Sequence, residues 1–129
     1  MTLSIKQGDD FLLQLVCYNE ETNELFDFNK KIYKAKFTIR KLPHLEGELV
    51  LTKTTNDVAT PREPYIKIIQ EDSVIEVFIP GEITKFWKVG ENLYFDVILY
   101  EYENENLIWQ KQIYMTDIIV DKRVSEVNL

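Results

Sequence analysis

The chain has 129 residues, of which 45% are hydrophobic and 29% charged, with a formal net charge of −7. That length suits one domain with a real core, and the balance is that of a globular rather than a disordered protein. No run approaches the roughly 20 apolar residues that span a bilayer, and the acidic excess argues against nucleic acid or an anionic membrane as partner.

The opening residues 1–7 carry neither a basic stretch nor an apolar one, so no signal peptide is expected. The single cysteine, Cys17, cannot staple the fold, which points to packing for stability and to a reducing cytosol as the place of synthesis.

Alternation of β-branched or aromatic residues with polar ones predicts strands along most of the chain. Residues 3–7 form a short opening strand that ends at Gly8, and residues 11–18 a second with Phe11, Leu13, Leu15 and Cys17 on one face. A polar turn over 20–24 leads to a brief apolar piece, 25–28. Residues 32–40 give the clearest pattern. Tyr33, Ala35, Phe37 and Ile39 share one face, while Lys34, Lys36, Thr38 and Arg40 share the other. An α-helix would scatter both sets.

Further strands are expected over 48–53, 65–69 and 74–79, the last two joined tightly through Glu71, Asp72 and Ser73. Between 48–53 and 65–69, the turn-rich loop 54–64 is the segment expected to be most mobile. A short helical turn near 81–88 offers Ile83, Phe86 and Trp87 as a plug for one end of the core. Residues 92–100 alternate again, with Leu93, Phe95, Val97 and Leu99 together. The turn 103–106 then leads into strand 107–115 and a last strand, 118–120. The expected architecture is all-β: one domain over 1–121, a polar tail over 122–129, and two antiparallel sheets packed face to face, with a barrel as the competing closure.

Chemistry-bearing patterns are sparse. The only histidine, His44, lies in a loop with Pro43 and Gly47 and reads as solvent-facing. Cys17 falls on an apolar strand face, where a small buried hydrophobe is expected rather than a nucleophile. Glu101, Glu103 and Glu105 alternate but straddle a hairpin turn, and Asp9-Asp10 reads as turn carboxylates. The four glycines are scattered, so no phosphate cradle forms. No enzyme, metal or cofactor is expected.

One charge feature stands out. Lys30, Lys31, Lys34, Lys36, Arg40 and Lys41 crowd together with no acid among them. Lys34, Lys36 and Arg40 would form a basic stripe on the outer face. It either pairs with acids of neighbouring strands or docks an acidic partner, another copy included; on a sheet edge it would also deter aggregation. Tyr94 and Tyr100 share the face opposite Leu93, Phe95 and Val97, so one or both could serve as interface aromatics or as a platform for sugar rings.

The start, Ile5-Lys6-Gln7-Gly8-Asp9-Asp10-Phe11-Leu12-Leu13-Gln14-Leu15, resembles the opening of small β-sandwich proteins of tailed bacteriophages, the N-terminal domain of baseplate upper proteins among them. Glu24-Leu25-Phe26-Asp27-Phe28-Asn29, the strand 32–41, Val77-Phe78-Ile79-Pro80 and Gly90-Glu91-Asn92-Leu93-Tyr94-Phe95-Asp96-Val97 follow in the family's order. Asn29 and Lys30 stand where that family has glycine, and Phe95 where it has tyrosine. The resemblance implies an immunoglobulin-like sandwich and a virion component of the tail, baseplate or connector. Its partners would be other virion proteins and copies of itself. It assigns no catalytic residue. A carbohydrate-binding or host-adhesion module and a capsid decoration protein are the other expectations.

Overall fold

The period-two alternation is realised as strands over most of the chain. The computed structural model describes residues 2–41, 47–57 and 60–122. Among these lie eight strands: β1 (Thr2–Lys6), β2 (Phe11–Val16), β3 (Ile32–Lys41), β4 (Leu49–Thr54), β5 (Tyr65–Ile69), β6 (Val74–Ile79), β7 (Asn92–Glu103) and β8 (Asn106–Asp121). One short helix, α1 (Gly81–Thr84), and a 3-10 turn over Gln70–Asp72 complete the elements. His44 and the tail residues 123–129 lie outside the described residues, as do Val58 and Ala59 of the loop 54–64.

The strands form two sheets, ordered β1-β8-β7-β3-β4 and β2-β6-β5. No strand pairing joins the two sheets among the described residues, so the closure is a sandwich and not a barrel. The orders β8-β7-β3-β4 and β2-β6-β5 are those of an immunoglobulin-type sandwich. All pairs are antiparallel except β1 with β8, which run parallel.

Register explains why the alternation is so regular. Ala35, Phe37 and Ile39 lie opposite Leu99, Val97 and Phe95, so one row of side chains from each strand enters the core. Ile75, Val77 and Ile79 of β6 meet them from the other sheet, and all three are fully buried. Phe95 sits at the centre, with ring centroids of Phe37, Tyr114 and Phe11 at 6.0, 6.0 and 6.3 Å.

Two local expectations are corrected. The strands expected at 107–115 and 118–120 are one, β8. A bulge opposite Val97 and Ile98 moves the inward positions from odd residues (Trp109, Lys111) to even ones (Tyr114, Thr116), which reads in sequence as a break. The apolar piece 25–28 lies outside the strands. Leu25 makes only an isolated bridge to Tyr18, while Phe28 is buried against Phe26 and Tyr33 and closes one end of the core. At the other end Trp87 is buried as expected, but Phe86 is 78% exposed and plugs nothing.

The Gln7-Gly8-Asp9-Asp10 turn has a structural use. Gln7 Nε2 donates to the Trp87 carbonyl at 2.8 Å, and the Gly8 N–H donates to Thr84 Oγ1 at 3.1 Å. Thr84 Oγ1 donates to the Asp9 carbonyl at 2.8 Å, and Asp10 Oδ1 accepts the Gly81 N–H at 2.7 Å. Arg62 then grips Asp10 with two bonds, at 2.8 and 2.9 Å, and also pairs with Glu82. Turn, helix and the approach to β5 are thereby clasped together.

Arg62, with the Gly81 N–H, lowers the Asp10 carboxyl from an ordinary 3.8 to about 2. A depressed carboxylate stabilises the native state fully above its unfolded pKa, and the contribution is lost as pH falls through the folded one. Urea midpoints of an Asp10→Asn chain are therefore expected below those of the parent at pH 5, the gap closing towards pH 2. A gap independent of pH would remove the clasp's electrostatic role.

Candidate functional site

On β3 the polar members of the alternation, Lys34, Lys36, Thr38 and Arg40, point away from the core. Opposite them on β7 lie Tyr100, Ile98, Asp96 and Tyr94, and beyond those on β8 lie Gln110, Gln112, Met115 and Asp117. The outward face of the five-stranded sheet thus brings all five expected interface residues, Lys34, Lys36, Arg40, Tyr94 and Tyr100, onto one surface. β3 is an inner strand flanked by β7 and β4, so the stripe is not an edge device.

The middle of this face is a closed polar layer. Asp96 and Tyr94 are each only 6% exposed. Gln112 Nε2 donates to Asp96 Oδ2 and to the Tyr94 hydroxyl, both at 3.0 Å. The Tyr94 hydroxyl reaches Met115 Sδ at 3.9 Å, and Thr52 Oγ1 donates to the Phe37 carbonyl at 3.0 Å. Tyr94 is therefore part of the face's foundation and not a free ring, which corrects its reading as an exposed aromatic. Tyr100 remains half-buried.

Around that layer the basic stripe stays half-exposed. The Lys34 ammonium lies 4.9 Å from the centre of the Tyr102 ring, and Arg40 donates to the Gly47 carbonyl at 3.4 Å. Neither they nor Lys36 form an ion pair with any described residue. Among the described residues, then, no cross-strand ion pair neutralises the stripe. Exposed Ile32 and Met115 and half-buried Ile98 and Tyr102 stand beside it, giving an apolar-aromatic surface crossed by positive charge.

The outward face of the smaller sheet has its own buried acid, one that sequence reading missed. Glu76 is 7% exposed and accepts from Gln14 Nε2 at 2.7 Å and the Tyr65 hydroxyl at 2.7 Å, with Lys67 Nζ at 3.3 Å. Tyr65 lowers the Glu76 carboxyl, while burial and Glu76 push the Tyr65 phenol up to about 12. The available signal was an acid at an outward position between Val77 and Ile75, on a strand flanked on both sides.

A cleft of about 950 Å³ opens between β2 and the first half of β8. Leu15, Cys17, Phe26, Trp109, Ile113 and Tyr114 line its apolar part. Burial raises the Cys17 thiol to about 11, opposite to what a nucleophile requires. Glu20 pairs with Lys111, which lowers its carboxyl, and Glu101 accepts from the Tyr33 hydroxyl at 2.6 Å. Glu103 pairs with Lys31 at 3.2 Å. Among the described residues no group of three or more His, Cys, Asp and Glu is placed to hold a metal ion, and no helix is long and apolar enough to cross a membrane.

Neither a known protein family nor a curated protein matches the chain. The geometry of its surfaces therefore carries the functional argument.

Proposed function

We propose that this chain is a non-enzymatic structural or adaptor protein of a bacteriophage particle, in the tail, baseplate or connector. It joins its neighbours through the outward face of the five-stranded sheet. One observation carries the reading. On a chain of net charge −7, Lys34, Lys36 and Arg40 form a basic stripe, without an ion pair among the described residues, inside an apolar-aromatic face. Such a face suits an acidic protein partner, because opposite charge steers encounter while aromatic and aliphatic area supplies affinity. The rigid polar layer of Tyr94, Asp96 and Gln112 beneath holds it in shape. The virion setting rests on the ordered motifs from Ile5 to Val97.

The Lys34→Glu/Lys36→Glu chain is expected to fold as the parent does and to lose at least about tenfold in affinity for its virion partner. Pull-down and titration against purified particle proteins check this. Unchanged binding would reduce the stripe to a solvated surface. A sugar platform is less well supplied, since Tyr94 is covered; a glycan bound by the parent chain and lost on Tyr100→Ala would favour it nonetheless.

A further inference from the structure

In the segment 85–89, between α1 and β7, only Trp87 is buried; Lys85, Phe86, Lys88 and Val89 all face outward. Phe86, 78% exposed, is the most exposed large apolar side chain among the described residues, and Val89 near it is 50% exposed. The Lys85 ammonium lies 5.0 Å from the centre of the Phe86 ring. Neither Lys85 nor Lys88 forms an ion pair among the described residues. A phenyl ring held in water between cations has the composition of an interface anchor.

The cleft between β2 and β8 has the complementary composition. Phe26, Trp109 and Tyr114 line its apolar part, and its volume of about 950 Å³ is that of a pocket for several side chains. Its lining carries four carboxylates, Glu20, Glu21, Asp27 and Glu101, against two cations, Lys30 and Lys111. Lys111 is already engaged by Glu20, so the charge offered to a visitor is negative.

Strand direction sets the two features apart. Phe11 of β2 pairs with Ile79, just before α1, and Val16 with Val74. Asn92, just after the exposed segment, lies opposite Ile119, while Glu101 lies opposite Trp109. The knob of Phe86 and Val89 thus stands at one end of the sandwich and the cleft towards the other. Within one chain they cannot meet. Between two chains they can, ring to apolar lining and lysine to carboxylate.

We propose that copies of this chain associate head to tail, Phe86 and Val89 of one entering the acid-rimmed cleft of the next, with Lys85 and Lys88 against Glu20 and Glu21. Such a contact is heterologous, so each added copy leaves a fresh knob and a fresh cleft. The net charge of −7 opposes approach, but at physiological salt charges further apart than about 8 Å are largely screened, and the local match decides. This goes beyond the role proposed for the basic face, which stays free for other particle proteins.

Light scattering of the full chain alone at physiological salt, from micromolar to millimolar concentration, should show oligomers that grow past the dimer. Phe86→Asp and Glu20→Lys/Glu21→Lys alter exposed side chains. Each should keep the parent's circular dichroism, and each alone should weaken association at least about tenfold. Mixed, the two variants should form a one-to-one pair and stop there, because only one knob and one cleft remain intact. A parent chain monomeric throughout or saturating at a dimer overturns the proposal, as does a mixture that associates no better than its components. So does association broken by Lys34→Glu/Lys36→Glu instead, since the contact would then be the sheet face. Because no virion partner is present in these measurements, failure here leaves the binding test of the basic face standing.

Discussion

Phe95→Ala is expected to cost about 3–5 kcal/mol, enough to leave a domain of ordinary stability partly unfolded. Phe95 is fully buried on β7, the strand between β3 and β8, and its ring meets Phe11 across the sandwich and Phe37 and Tyr114 within its own sheet. Removing it deletes the ring's transfer free energy and leaves a void that β-sheet backbone on both sides cannot collapse to fill. Phe86→Ala is the matched control. That ring is exposed, so a change within about 0.5 kcal/mol is expected. Equal effects in urea unfolding would mean that the two sheets do not enclose the core described.

Gly81→Ala is expected to cost about 3 kcal/mol, roughly 10 °C in Tm. The cause is contact and not backbone conformation. A Cβ at this position would lie 2.2 Å from the Gly8 carbonyl oxygen and 2.9 Å from its carbon. Both are main-chain atoms of the clasp, so relief requires moving the β1–β2 turn away from α1. That also breaks the Gly81-to-Asp10 bond and the bonds of Thr84 to Gly8 and Asp9. Gly90→Ala separates the two kinds of cost. Gly90 has φ of +84° and open space around it, so only left-handed strain of about 1 kcal/mol is expected. Calorimetry that ranks Gly90→Ala as the more damaging would rule out the close approach.

The two changes lie on different sides of what a sequence can show. Burial of Phe95 follows from alternation with Asp96 and Tyr94. The need for glycine at position 81 depends on Gly8, far away in the chain, and no local pattern records it.

Alternation by itself determined the all-β class, the inward rows on β3, β6 and β7, and the hairpin between β7 and β8. A period of two is a local property, fixed by the pleat. It tells which side a residue takes but not what covers that side. Only the tertiary structure decided that Tyr94, Asp96 and Glu76 are buried on outward faces, because neighbouring strands supply Gln112, Gln14 and Tyr65 to close over them. It also decided the parallel seat of β1, which covers the last five residues of β8. Strand order and contacts between distant turns arise from the packing of whole sheets, and that information is spread across the chain and not carried by any single segment.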